Sequence, residues 1–128
     1  MNRIGVLQRY VDAWVCSDLE TLFATYHPDV VVHYGGSSPF AGDHHGRDAL
    51  LSLLAETARR SGRTLVSVDA VYDLGGHGAI FVREAFEIAG ERVILDRCLR
   101  YRVDGDLIVE VWLYDHQQQL VDRAWSQP

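Results

Sequence analysis

Apolar residues near the start of the chain recur at the three- and four-residue spacing of an amphipathic helix. This pattern predicts a helix over residues 3–16. Ser17 and Glu20 have the spacing of a capping box, which predicts the start of a short second helix. Pro28 is expected to end that helix, because proline disfavours helical backbone in the residue before it.

The rest of the chain changes between strand and helix patterns. Two short strands are predicted at residues 30–34 and 43–45, and a third helix over residues 47–60, with Gly62 closing it. The second half alternates apolar and polar residues between glycine-containing turns. It predicts four strands and a tail helix, over residues 64–72, 79–88, 92–103, 107–114 and 117–125.

Helices followed by a run of antiparallel strands indicate an α+β fold, with helices covering one face of a curved sheet. The chain has 128 residues and no linker-like segment, so a single domain over residues 1–128 is expected. Its formal charge of −6 argues against nucleic acid or an anionic membrane as a partner, because both favour a basic surface.

The cysteine and arginine content of the chain bears on its cellular location and on the type of genome that encodes it. Cys16 and Cys98 are isolated thiols, the N-terminus has no signal-peptide pattern, and no apolar run is long enough to span a membrane. These features predict a cytoplasmic location. All 12 basic residues are arginine, which we interpret as the coding bias of a bacterial genome.

Several short segments resemble the nuclear transport factor 2-like superfamily and, within it, the SnoaL-like and ketosteroid isomerase-like branch. They are Gln8-Arg9-Tyr10-Val11, Ser17-Asp18-Leu19, residues 41–49 and Glu110-x-Trp112-x-x-Asp115. The resemblance implies a cone-shaped, curved, mostly antiparallel sheet with three helices covering one face. It also implies a small-molecule pocket and a homodimer formed through the sheet. It does not fix a reaction, since the superfamily includes isomerases, cyclases, dehydratases, epoxide hydrolases and binding modules.

Ketosteroid isomerases use a helix tyrosine and an acidic residue as an oxyanion hole, and an aspartate as base. The tyrosine matches Tyr10, but the base position falls on Tyr34 and the acidic position on Leu99. Steroid isomerisation of that type is therefore not expected.

Strand alternation predicts a charged group inside the pocket. If Leu99 faces inward, Arg97 also does, between Glu84 and Asp115 on the facing strands. Charges are costly in an apolar interior unless they are paired, so this cluster is a candidate site. The remaining candidate ligand contacts are Trp14, His33, Tyr34, Phe40, His45, Phe86, Tyr101 and Leu113.

The leading hypothesis is a cofactor-independent acid/base enzyme acting on an apolar, oxygenated substrate such as a polyketide or terpenoid intermediate. It would isomerise, cyclise or dehydrate this substrate through an enolate. Asp115 would be the general acid/base, Arg97 its orienting partner and Tyr10 a donor to the oxyanion. Neither a metal nor a cofactor is expected, because the histidines are scattered and no phosphate-binding glycine motif opens a helix.

Other interpretations stay open. Limonene epoxide hydrolases, which share this fold, use an aspartate–arginine–aspartate triad. In this chain Glu84, Arg97 and Asp115 would form a rearranged version of that triad. Asp115 and Gln118 also have capping-box spacing, so Asp115 could simply cap the tail helix. A register slip of one residue would turn the charged side chains outward. The domain could also be a non-enzymatic module for ligand binding or dimerisation.

Overall fold

A computed structural model describes residues 2–128. In chain order the elements are α1 (Arg3–Val15), α2 (Leu19–Ala24), β1 (Tyr26–Tyr34), β2 (Gly42–His45), α3 (Arg47–Ser61), β3 (Thr64–Asp73), β4 (Gly78–Ile88), β5 (Glu91–Asp104), β6 (Leu107–Asp115) and α4 (Gln118–Trp125). No helix in this part of the chain is both long and apolar enough to cross a membrane.

The six strands form one curved, unclosed sheet in the order β2-β1-β6-β5-β4-β3. All neighbouring strands are antiparallel except β1 and β6, which are parallel. The helices pack on one side of this sheet, and the hydrophobic core lies between the two layers. The predicted α+β class and the one-sided helical layer are confirmed.

The start of α2 differs from the prediction. The capping residue is Asp18, whose side chain accepts a hydrogen bond from the Thr21 backbone N–H. Ser17 instead adopts a left-handed backbone with φ of 57°. Two adjacent residues can both offer a capping oxygen, and the turn after α1 determines which of them does.

Pro28 does not end α2, which stops at Ala24, but lies within β1. The pairing between β1 and β6 shifts between Tyr26 and Val31, and Pro28 falls in that irregular stretch. Proline has no backbone N–H to donate to a regular strand ladder. Strands therefore tolerate proline where the ladder is interrupted, as it is here.

Candidate functional site

A cavity of about 330 Å³ lies between the helices and the inner face of the sheet. Its wall is mostly apolar, with contributions from α1, α2, α3 and four strands. Representative wall residues are Trp14, Phe23, Val32, Leu50, Leu99 and Leu113. Enclosed apolar cavities with a few polar groups are the usual form of small-molecule sites.

One wall of the cavity carries a buried ionic cluster centred on Arg97. Its guanidinium donates from Nε to Asp115 Oδ1 at 2.5 Å and from Nη2 to Asp115 Oδ2 at 3.2 Å. Nη1 donates to Glu84 Oε1 at 3.0 Å. The three side chains are at most 3% exposed, so each charge depends on these partners rather than on water.

Strand register explains how these side chains meet. Arg97 on β5 lies directly opposite Asp115 on β6 and opposite Val82 on β4. Glu84 is two residues beyond Val82, so it shares the inner face and is a diagonal neighbour of Arg97. The structure thus brings together the three charged residues that strand alternation predicts.

Arg63 is a fourth member of this cluster, and sequence reasoning missed it. Its Nη1 donates to Glu84 Oε2 at 3.2 Å, and its Nη2 lies 3.3 Å from both the Leu54 carbonyl oxygen and the Thr57 hydroxyl. Its buried Nε has no hydrogen-bond partner within residues 2–128. Arg63 lines the cavity, so it adds a second guanidinium to the site.

Two aromatic rings enclose the Arg97 guanidinium. Its central carbon lies 5.3 Å from the ring centroid of Phe86 and 5.3 Å from that of Trp125 on α4. Burial alone would lower the pKa of Arg97, but the charges of Asp115 and Glu84 outweigh it and raise that pKa. Arg97 therefore remains a fixed cation. Phe86 supports Arg97 and is not part of the cavity wall.

Asp115 does not cap the tail helix. The residue before α4 is Gln117, which makes no side-chain capping bond, and Asp115 binds Arg97 with both carboxylate oxygens. Asp115 is also absent from the cavity wall, whereas Glu84 and Arg97 are part of it. Of the two carboxylates, Glu84 is therefore the one that lines the cavity.

A cluster of three tyrosines occupies another part of the wall. The hydroxyls of Tyr10 and Tyr26 are hydrogen-bonded to each other, and the ring of Tyr101 lies 5.6 Å from that of Tyr10. Burial raises the pKa of Tyr10 to about 12, although the neighbouring hydroxyls of Tyr26 and Tyr101 oppose the rise. Burial also raises the pKa of Tyr26 and of Tyr101. All three phenols are therefore neutral near pH 7 and can donate hydrogen bonds.

Tyr34 lines the cavity and connects it to the tail helix. Its ring stacks on Trp125 with centroids 5.1 Å apart, and the His44 ring meets its edge at 5.7 Å. Burial raises the pKa of Tyr34, and the nearby guanidinium groups of Arg63 and Arg97 partly oppose the rise. This phenol therefore stands close to the ionic cluster as a neutral donor.

Phe40 and the two candidate histidines lie outside the cavity wall. Phe40 packs edge-on against Trp125, with centroids 6.1 Å apart. His33 alternates with Tyr34 and points to the opposite face of the sheet, where its two ring nitrogens contact Asp43 at 2.7 Å and Glu110 at 2.5 Å. His45 is exposed on β2. The sequence alone could not show which residue of each adjacent pair, His33/Tyr34 and His44/His45, faces the cavity.

Solved structures with the same fold cover all or most of the chain. A protein of unknown function with a cystatin-like fold from Xanthomonas campestris is 26% identical, with a TM-score of 0.90 over 99% of this chain and 100% of that one. An NTF2-like protein from Burkholderia thailandensis is 20% identical, with a TM-score of 0.84 over 100% and 99%. A protein from Mesorhizobium loti, proposed to be a SnoaL-like polyketide cyclase, is 21% identical, with a TM-score of 0.76 over 89% and 99%.

Sequence comparison identifies the family. No curated protein matches the chain significantly. The profile of the SnoaL-like domain, however, matches residues 7–111, which include most of the cavity wall and both Glu84 and Arg97. The chain therefore belongs to the SnoaL-like domain family.

Proposed function

We propose that this protein is a cofactor-independent acid/base enzyme that acts on a largely apolar, oxygenated molecule through an enolate. The observation that carries the proposal is Glu84, a carboxylate 1% exposed that forms part of the wall of an otherwise apolar cavity. A buried carboxylate loses its hydration and depends on paired groups to stay charged, and acid/base catalysis needs a carboxylate positioned in this way. The family name of the Mesorhizobium loti relative is consistent with a polyketide intermediate as substrate.

Glu84 is the residue that transfers the proton in this proposal. Each of its oxygens accepts one guanidinium N–H, from Arg97 and from Arg63. A carboxylate has about four acceptor positions, so it keeps acceptor capacity for a substrate C–H or O–H. Arg97 and Arg63 fix its orientation, and Asp115 acts as a positioning residue through Arg97.

The developing enolate oxygen needs a donor close to Glu84. Tyr34 is suited to this, because it is neutral, lines the cavity and lies near both guanidinium groups. The chemistry balances without a cofactor: Glu84 takes a proton from the carbon next to a carbonyl, Tyr34 donates a hydrogen bond to the oxygen that gains charge, and Glu84 returns the proton elsewhere on the product.

Deuterium exchange tests this step without the natural substrate. α-Tetralone, a bicyclic ketone, is incubated with the protein in D₂O, and NMR follows the loss of its α-protons. We expect faster exchange than in buffer, and loss of that acceleration in Glu84→Gln. Glu87→Gln is the matched control, because Glu87 lies on the same strand but is exposed. Exchange at the buffer rate, or equal rates in both variants, would contradict the proposal.

Epoxide opening is a second candidate, favoured by the binding of both Glu84 and Asp115 to one guanidinium. In this reaction one carboxylate would activate water and a protonated group would donate to the epoxide oxygen. Incubation with styrene oxide in ¹⁸O-labelled water would produce labelled diol at a rate that depends on Glu84 and Asp115. Unreacted epoxide would eliminate this candidate, and a cavity that retains ligand without any turnover would favour a binding module.

We also propose a homodimer formed through the outer face of the sheet. This face exposes large apolar side chains, including Phe81 at 41%, Ile94 at 47% and Tyr114 at 51%. Clustered exposed apolar residues are typical of interaction surfaces. Sedimentation velocity would show a dimer for the native chain and a monomer for Phe81→Arg; a native monomer would contradict the proposal.

A further inference from the structure

Arg63 has one buried N–H group without a protein partner. Its Nη1 donates to Glu84, and its Nη2 donates to two groups of α3, the Leu54 carbonyl and the Thr57 hydroxyl. The Nε, in contrast, makes no hydrogen bond within residues 2–128. A buried donor without a partner costs stability, so such groups are rare in folded proteins. The unmet Nε–H is therefore a candidate donor to a ligand.

The Arg63 guanidinium acts on the interior of the cavity. Its side chain lines the wall and is 14% exposed. Burial raises the pKa of Tyr10 and of Tyr34, and the positive charge of Arg63 opposes part of both rises. These two tyrosines line the cavity from different elements, α1 and β1. The charge of Arg63 is therefore felt across the space that a ligand occupies.

The contacts of Arg63 also fix the direction of its free donor. A guanidinium is planar and its five N–H groups have fixed directions. Because Glu84 and α3 hold the two terminal nitrogens, the Nε–H has little freedom to turn. A donor that is held in place before binding loses little entropy when a ligand arrives.

The formal charges around Arg63 are already balanced. Glu84 binds the guanidinium groups of both Arg63 and Arg97, and Asp115 binds Arg97 with both oxygens. Two cations thus face two carboxylates, and no other acidic or basic residue of the described chain lines the cavity. An anionic ligand would add an unpaired negative charge away from water, which is costly. An uncharged ligand leaves the balance intact.

The proposed reaction also keeps this balance. When Glu84 takes a proton from an uncharged substrate, the carboxyl group becomes neutral and the enolate carries the negative charge. The total charge in the cavity does not change during this step. A substrate that already carries a carboxylate would add a second negative charge beside the enolate, where like charges repel.

We propose that Arg63 determines ligand specificity: its Nε–H donates to an uncharged acceptor oxygen, such as that of an amide or an alcohol, and the balanced cluster excludes carboxylate and phosphate ligands. This inference rests on the proposed small-molecule function of the cavity, but it requires only binding and not turnover.

Three naphthalene probes of similar shape test the inference by calorimetry at neutral pH: naphthamide, which is uncharged, naphthoate, its anionic counterpart, and ethylnaphthalene, which has no oxygen. We expect Arg63→Met to weaken naphthamide about tenfold, the effect of one hydrogen bond, and to leave ethylnaphthalene unchanged. Arg59→Met is the matched control, since Arg59 also pairs with a glutamate but is 58% exposed on α3. The native chain should bind naphthoate more weakly than naphthamide, by about tenfold or more.

The NMR signal of the Arg63 Nε–H group gives a second readout, on the native chain. It is assigned from its absence in Arg63→Lys, which keeps a positive charge beside Glu84. The proton signal should move downfield when naphthamide binds, because a hydrogen bond forms, but not when ethylnaphthalene binds. This readout does not depend on the stability of Arg63→Met.

Four results would overturn the inference: no binding of naphthamide by the native chain, equal weakening of naphthamide and ethylnaphthalene in Arg63→Met, tighter binding of naphthoate than of naphthamide, or an unmoved Nε–H signal with naphthamide bound. Arg63-dependent binding of naphthamide without deuterium exchange of α-tetralone would support the inference while contradicting the proposed catalysis. Deuterium exchange together with naphthamide binding that does not depend on Arg63 would do the reverse.

Discussion

The two faces of the sheet carry similar charged groups in different surroundings. On the inner face, Arg97 binds Glu84 and Asp115, and all three side chains are almost completely buried. On the outer face, Glu110 contacts both His33 and Arg102. The Nε of Arg102 lies 3.2 Å from the Glu110 carboxylate, and the Arg102 side chain is 48% exposed. Water and salt compete with the outer pairs, whereas nothing replaces a lost partner on the inner face. The comparison suggests that the inner charges are fixed in place, and fixed charges are what catalysis requires.

The largest expected effect comes from removing the centre of the inner cluster. Arg97→Ala would leave two buried carboxylates without their main partner, and we expect the free energy of unfolding to fall by about 3–5 kcal/mol. Urea denaturation measures this change. Arg102→Ala is the outer-face control and should cost about 1 kcal/mol or less. A similar loss of unfolding free energy in the two variants would contradict the claim that buried ion pairs on the inner face contribute more to stability than exposed pairs on the outer face.

A smaller effect is expected from neutralising one carboxylate on each face. Asp115→Asn removes a charge from the bidentate contact with Arg97 and should lower the free energy of unfolding by about 1–3 kcal/mol. Asp96→Asn is matched to it on the outer face, where Asp96 meets Arg83 at 3.1 Å and is 63% exposed. That variant should change stability by about 0.5 kcal/mol or less.

Asp115→Asn also tests the role of Asp115 as a positioning residue. Deuterium exchange of α-tetralone should slow in this variant but persist, because Glu84 remains. Abolished exchange in Asp115→Asn with native exchange in Glu84→Gln would assign proton transfer to Asp115 instead.

The smallest effect concerns His33 and its dependence on pH. Burial tends to lower the pKa of His33, but hydrogen bonds with Asp43 and Glu110 outweigh it and raise that pKa. A raised folded pKa stabilises the protein fully below the unfolded value of about 6.5, and this contribution is lost as pH rises through the folded pKa. His33→Gln should therefore reduce stability more at about pH 5.5 than at about pH 9, as measured by urea denaturation at both values. The same reduction at both pH values would show that the charge of His33 is not involved.

Much of the fold and part of the site follow from sequence patterns, for identifiable reasons. The strands β4, β5 and β6 pair without a register shift over the segments that carry these residues, so placing Leu99 inward is enough to orient Glu84, Arg97 and Asp115. Arg63 could not be found in this way, because it lies in the short connection between α3 and β3, where no periodicity applies. The contact of Trp125 with Arg97 could not be predicted from the sequence either, because it depends on how α4 packs against the sheet.

The central claim is that Glu84 faces the reacting carbon of a ligand in the cavity, and a crystal structure of the native protein with bound α-tetralone tests it most directly. The account predicts that the α-carbon lies against the Glu84 carboxylate, with the ketone oxygen within hydrogen-bond reach of Tyr34. A ligand whose α-carbon lies away from Glu84, or an empty cavity at saturating ligand, would contradict it.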